Sequence, residues 1–187
     1  MNLASVVTIV CWIVFLLYWV LSTRSVKATE ERTGGIGGYW HYFPAALAFL
    51  LLQDIPAYPL TGPLLSPSAV VGILSTVFAI GGLAIAIVAR RTLADNWSSS
   101  VTFKRDHELV ITGIYRYMRH PIYTGILLMF LGTALLVGTF GALLGLLVLF
   151  FTFWFKLRQE EALMTSHFPK DYPAYKQRVK ALIPYVF

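Results

Sequence analysis

The chain has 187 residues, of which 57% are apolar and only 13% charged, and its mean hydropathy is +0.69; soluble domains carry charge on about a quarter of their residues, so an ordinary water-soluble fold is excluded. Five apolar stretches of roughly 16 to 23 residues take up about half the chain and leave no room for a soluble domain of typical size, which excludes a Rossmann-type domain beside a membrane anchor. Fifteen Lys and Arg against nine Asp and Glu give a formal charge of +6, and in a bilayer the placement of those charges says more than their sum.

Leu3 to Leu21 is uncharged over 19 residues, enough for a helix to cross about 30 Å of hydrocarbon; this is the first predicted span, 3–21. Arg24 and Lys27 follow the run rather than precede it, the reverse of a secretory signal, so the span is expected to be retained. Cys11, the single cysteine, lies within it; an intrachain disulfide is impossible, and the thiol is expected to pack. The segment 22–40 contains Gly34, Gly35, Gly37 and Gly38 without the flanking strand and helix of a phosphate-binding loop, and reads as a flexible linker. The second predicted span, 41–60, is interrupted by Pro44, Gln53, Asp54 and Pro56. A turn-rich stretch through Pro63 and Pro67 leads to the third, 68–90, which ends at Arg90 and Arg91. From Ile122 to Phe155 the chain is apolar for 34 residues, too long for one crossing; Gly138, Thr139 and Gly141 divide it into a tight hairpin of spans 122–137 and 140–156. Gly125, Gly132, Gly138, Gly141 and Gly145 are small enough to let neighbouring helices approach closely.

All 15 Lys and Arg follow spans one, three and five, so the positive-inside rule puts segments 22–40, 91–121 and 157–187 in the cytoplasm and the N-terminus outside. The expected fold is an all-α polytopic membrane protein, one domain over 1–187, with five transmembrane helices and polar cytoplasmic segments. Topology accounts for the basic charge, and a nucleic-acid partner is not called for.

Two of these segments carry more polar chemistry than topology requires. In RHPIYTG, Arg119 to Gly125, His120 directly precedes Pro121; the proline disfavours helical geometry at the histidine and suits the first turn of the helix that follows. His120 is thereby expected at a helix start, where unpaired N–H groups and the positive dipole end favour an anionic ligand group and a neutral imidazole. Lys156 with Glu160 and Arg158 with Glu161 have the spacing of ion pairs on one helix. The same pattern also reads as a solvated juxtamembrane anchor, and His120 as an interfacial cap. Trp97, Trp154, Tyr172, Tyr175 and Tyr185 are expected as an aromatic belt at the membrane interface. The sequence offers no zinc-ligand spacing, Ser/His/Asp arrangement or paired catalytic carboxylates.

Taken in order, NWS at Asn96 to Ser98, HELV at His107 to Val110, GIYRYMRHPIYTG at Gly113 to Gly125, EEALMTSHF at Glu160 to Phe168, then Tyr172, Tyr175 and Ile183-Pro184 make the C-terminal half resemble the isoprenylcysteine carboxyl methyltransferases and their prokaryotic relatives. Membrane sterol reductases have a related Arg-His-Pro segment, and the doubled glutamate with Tyr-x-x-Tyr favours the methyltransferases. The resemblance implies S-adenosylmethionine as cofactor, held at positions matching His107, Glu108, Leu109, Val110, Tyr115, His120, Pro121, Ile122, Tyr123 and Glu160, with Lys156 or Arg158 orienting the acceptor. Two positions depart from the family. Lys156, a point charge, stands where the family has the rigid fork of an arginine, and Pro169 follows Phe168 where glycine is usual, which reads as turn chemistry. The implied activity is methyl transfer to a lipophilic acceptor among membrane lipids, foremost the carboxylate of a prenylcysteine-like molecule. A thiol or phospholipid amine methyltransferase, a membrane-embedded NADPH-dependent reductase and a non-enzymatic scaffold are the alternatives.

Overall fold

A computed structural model of the chain describes residues 2–22, 29–32, 40–53, 62–94, 102–104 and 109–186. Among the described residues there are six α-helices: α1 (Leu3–Ser22), α2 (Tyr42–Leu51), α3 (Ala69–Leu93), α4 (Pro121–Val137), α5 (Phe140–His167) and α6 (Asp171–Arg178). The helical expectation holds for the apolar segments, with one addition that hydropathy does not foresee. Thr29–Arg32 (β1) pairs antiparallel with Thr102–Lys104 (β2), so these four residues that follow the first helix and these three that follow the third lie side by side.

Helices start and stop where the chemistry of their ends directs. Ser68 caps α3 by accepting from Val71 N at 3.2 Å, and Thr139 caps α5 by accepting from Ala142 N at 3.3 Å, each satisfying an N–H that the helix itself cannot pair. Between α4 and α5 the turn rests on Gly138, whose φ of 68° is the left-handed conformation that closes a helix. Its carbonyl accepts from the N–H groups of Leu64 (2.7 Å) and Leu65 (3.0 Å), which ties the connection before α3 to this turn.

Small residues set the packing. A Cβ on Gly125 would lie 2.6 Å from Gly82 O, and one on Gly132 2.6 Å from Ser75 O, so α3 and α4 run antiparallel with their backbones nearly touching. Gly145 of α5 faces Ala48 of α2 in the same manner. α1 runs parallel to α3, with Ala4 beside Gly72 near their starts and Arg90 donating to Ser22 O at 2.5 Å at their ends. α1 also meets α4, where Trp12 Nε1 donates to Thr133 Oγ1 at 3.0 Å. Cys11 is buried in this contact as expected. Helices α1, α3 and α5 therefore share one direction, α2 and α4 the other, and the C-terminal ends of α1, α3 and α5 gather at one end with the starts of α2 and α4.

Three helices, α1, α3 and α5, are long and apolar enough to cross a membrane among the described residues; α4 has 17 residues and α2 only 10. At about 1.5 Å per residue, α2 covers roughly half a hydrocarbon layer, so it is shorter than the span 41–60 read from hydropathy. It ends at Leu51, with Leu52 as its cap and Gln53 N donating to Leu50 O at 3.0 Å. The remainder of that span and the glycines 34, 35, 37 and 38 lie outside the described residues.

Candidate active site

The start of α4 and the far end of α5 meet at the charged end of the bundle. His120 occupies the N-cap position with Pro121 as the first helical residue, as the His-Pro order requires. The backbone that carries the ring is held from behind, because the amide N–H of His120 donates to Ala181 O and that of Arg119 to Lys180 O, both at 2.9 Å, and Thr124 Oγ1 donates to Leu182 O at 2.7 Å. The segment after α6 is thus laid along the beginning of α4.

On the other side, α5 continues past its apolar run and presents Glu160 and Glu161. Consecutive helical residues point about 100° apart, and the two carboxylates flank His120: Nδ1 lies 3.8 Å from Glu160 Oε2 and Nε2 3.2 Å from Glu161 Oε1. Tyr123, one turn into α4, donates its hydroxyl to Glu160 Oε1 at 2.5 Å and stacks between His120 (centroids 5.5 Å, interplanar 4°) and Phe153 (4.5 Å, 22°). Lys156 is buried, with Nζ 3.9 Å from Glu160 Oε1 and 5.5 Å from the centre of the Tyr123 ring.

The structure thereby brings together Lys156, Glu160, His120, Pro121, Ile122 and Tyr123, and the Lys156–Glu160 pair forms as its spacing requires. The expected Arg158–Glu161 pair does not form. Arg158 is exposed and lies over the Trp154 ring at 4.5 Å, whereas Glu161 is buried and receives Arg119 Nε at 2.8 Å, Arg119 Nη2 at 2.6 Å and Lys176 Nζ at 2.6 Å. A buried carboxylate needs cations and donors beside it in the interior, and an arginine on the outer face of α5 cannot supply them. Arg119 and Lys176 are the partners of Glu161 that the spacing missed. The doubled glutamate and the arginine before the histidine were visible, but their partnership depends on α6 folding back.

Tyr172 and Tyr175 are also corrected. Rather than forming an interface belt, both are buried on α6, and Tyr175 Oη donates to Tyr115 O at 2.5 Å. Burial pushes the phenols of Tyr115, Tyr172 and Tyr175 upward, that of Tyr175 to about 12, so these hydroxyls are neutral donors at physiological pH. Tyr115 is buried in a 3-10 turn, Gly113–Arg116, with its hydroxyl 3.5 Å from Ala89 O. Val110 packs against the same core as Tyr115 and Ile122, and Leu109 beside it is half-buried. His107 and Glu108, with Asn96 and Trp97, lie outside the described residues.

Comparison with known proteins matches residues 70–171, just over half of the chain, to the phospholipid methyltransferase family model. The chain belongs to the phospholipid methyltransferase family. The matched interval runs from α3 to the first residue of α6 and contains His120, Tyr123, Lys156, Glu160 and Glu161. Curated relatives of this family member bear out the resemblance read from its motifs. The chain is similar to the protein-S-isoprenylcysteine O-methyltransferase of Schizosaccharomyces pombe, 42% identical over 49% of this chain and 40% of that protein. It is similar to the Saccharomyces cerevisiae protein of the same name at 32% identity over 61% and 49%. The Dictyostelium discoideum protein of that name is 28% identical over 78% of this chain and 54% of its own length. The chain thus spans about half the length of the curated relatives it matches. With its three long apolar helices, it is an integral membrane protein.

Proposed function

We propose that the protein is an S-adenosylmethionine-dependent methyltransferase that acts at the cytoplasmic membrane surface on the carboxylate of a lipophilic, prenylcysteine-like acceptor. The observation that carries this reading is Glu160, a partly exposed carboxylate at the end of an apolar helix, held by Tyr123 with Lys156 and His120 beside it. The donor set fits an amino-acid-bearing cofactor. Glu160 would pair its ammonium. Its carboxylate would face the first turn of α4, where Ile122 and Tyr123 precede the first helical hydrogen bond, from Thr124 N to His120 O. Leu109, Val110 and Tyr115 would wall the remainder, together with His107 and Glu108 from the sequence motif.

S-adenosylmethionine supplies an electrophilic methyl group on a sulfonium. What the chain must provide is position and dryness. A carboxylate acceptor is already ionised near neutral pH and needs no general base, while the surrounding apolar side chains strip water from the nucleophile. Lys156 orients that acceptor rather than Arg158, because the lysine is buried beside Glu160 and the arginine points outward over Trp154. The same cation disfavours a phospholipid amine, which would bring a second positive charge to the site before reaction.

Five membrane passes, with a hairpin of α4 and α5, N-terminus outside and C-terminus cytoplasmic, complete the proposal. The shared direction of α1, α3 and α5 and the β1–β2 pairing between the segments after helices one and three support it.

The test is methyl transfer from radiolabelled donor to a farnesylcysteine analogue, an alkyl thiol and an aminophospholipid. A base-labile methyl ester is the expected product; thioether or methylated amine alone would overturn the carboxylate assignment. Binding of S-adenosylhomocysteine, measured by calorimetry and lost in Glu160→Gln, is expected in the same preparation. Binding of a reduced nicotinamide instead would favour a reductase.

A further inference from the structure

We propose that Glu161 is a positioning residue that fixes the tautomer of His120 and so makes His120 Nδ1 and Glu160 a two-point seat for a primary ammonium. This rests on the methyltransferase reading, in which the ammonium belongs to the amino-acid end of the cofactor. Glu161 is surrounded by donors, with Arg119 giving two N–H groups to Oε1 and Lys176 lying 2.6 Å from Oε2. An ionised carboxylate only accepts hydrogen bonds. The ring nitrogen 3.2 Å from its Oε1 is His120 Nε2, so Nε2 carries the hydrogen. A neutral imidazole protonated at Nε2 presents a lone pair at Nδ1.

The far side of the ring agrees with that assignment. Nδ1 is 3.8 Å from Glu160 Oε2, too far for a hydrogen bond, whereas an imidazolium would draw a partly exposed carboxylate into contact. Two acceptors at this separation cannot bond each other, but one tetrahedral N–H donor can bridge them. Glu160 Oε1 is engaged by Tyr123 at 2.5 Å and neighboured by Lys156 at 3.9 Å, which leaves Oε2 as the oxygen turned to the histidine. The ring is kept in place by stacking on Tyr123 and by the bond from His120 N to Ala181 O. Carboxylates that accept from the far nitrogen of a metal-bound histidine fix its tautomer by the same hydrogen-bond logic.

The full chain, labelled with nitrogen-15 histidine in detergent, reads the tautomer directly, His120 being assigned through His120→Gln. Hydrogen on Nε2 with bare Nδ1 at neutral pH is expected; hydrogen on Nδ1, or on both nitrogens, overturns the proposal. Calorimetry then compares S-adenosylhomocysteine with its deaminated analogue. The wild type should prefer the amine-bearing ligand, and Glu161→Met, which removes the acceptor facing Nε2, should lose about tenfold of that preference, the weight of one hydrogen bond to a charged group, while its affinity for the deaminated ligand stays the same. His120→Gln provides the control that keeps Glu161 partnered, since its amide nitrogen replaces Nε2 but offers nothing at Nδ1; it should lose the same preference. Equal weakening toward both ligands in the two variants would make Glu161 purely structural and sink the idea. A wild type that binds both ligands without preference overturns the ammonium seat alone. One that binds neither overturns the methyltransferase reading, and the tautomer measurement still decides the role of Glu161.

Discussion

Tyr123 connects the glutamate-bearing turn of α5 to the apolar core. Its hydroxyl donates to Glu160 while its ring lies between His120 and Phe153, so Tyr123→Phe removes the hydrogen bond and spares the stack. A hydrogen bond to a charged group is worth about 1.5–3 kcal/mol, and affinity for S-adenosylhomocysteine should fall roughly tenfold to a hundredfold in calorimetry, with helicity unchanged. Lys156 and Arg158 separate by burial. Arg158→Ala touches an exposed side chain and should change stability by no more than about 0.5 kcal/mol and acceptor KM hardly at all, whereas Lys156→Ala should raise acceptor KM. The reverse pattern in steady-state kinetics would exchange their roles. Tyr175 supplies a pH dependence. Burial pushes its phenol up to about 12, above the value of about 10 for the unfolded chain. Because the folded pKa is the higher one, stability is fully present below pH 10 and is lost as pH rises toward 12. Thermal denaturation across that alkaline range should show this decline, and Tyr175→Phe should be less stable at neutral pH yet fall less steeply in alkali.

At the scale of helices, adjacent glycines in α3 give opposite expectations. Glycine costs about 0.5–1 kcal/mol relative to alanine inside a helix, so propensity alone predicts that replacing either Gly81 or Gly82 stabilises. A Cβ at Gly81 meets nothing within 4 Å, while one at Gly82 runs into Gly125 O and lies 2.8 Å from Met129 N. Both obstacles are backbone atoms of α4, which cannot turn aside. Gly81→Ala should therefore raise the melting temperature in detergent and Gly82→Ala lower it, the latter by about 1–3 kcal/mol of overpacking. Melting curves of the two variants settle the sign. This contact also bears on the proposed site, because His120 caps α4 and Tyr123 lies in its first turn, and a shift of α4 away from α3 would move both relative to Glu160.

For the whole molecule, the parallel course of α1, α3 and α5 puts every described site residue at one end. The turn at Gly138 and its hydrogen-bonded partners Leu64 and Leu65 lie at the other end. Gly62, exposed beside that turn, is the position at which topology is most simply read. A cysteine introduced there should react with a membrane-impermeant reagent from outside the cell, while the buried Cys11 stays silent; reaction from the cytoplasmic side alone would reverse the proposed orientation.

Hydropathy and charge by themselves determined that this chain belongs in a membrane, which segments are helical and where the polar chemistry lies, because bilayer thickness and the cost of unpaired backbone groups in lipid leave few options. The His120-Pro121 order likewise determined the start of α4, since proline constrains both itself and its neighbour. Four-residue spacing was enough for Lys156 and Glu160, which lie on one helix. Partners on different elements were decided only by the tertiary structure. Glu161 has equal spacing claims on Arg158, yet it turns inward to Arg119 and Lys176 because α6 and the segment behind it fold back over the start of α4. The same fold-back buries Tyr172 and Tyr175, which composition alone assigns to the interface. The short length of α2 and the pairing of β1 with β2 depend on local turn chemistry and long-range hydrogen bonding, to which an average of side-chain hydrophobicity is blind.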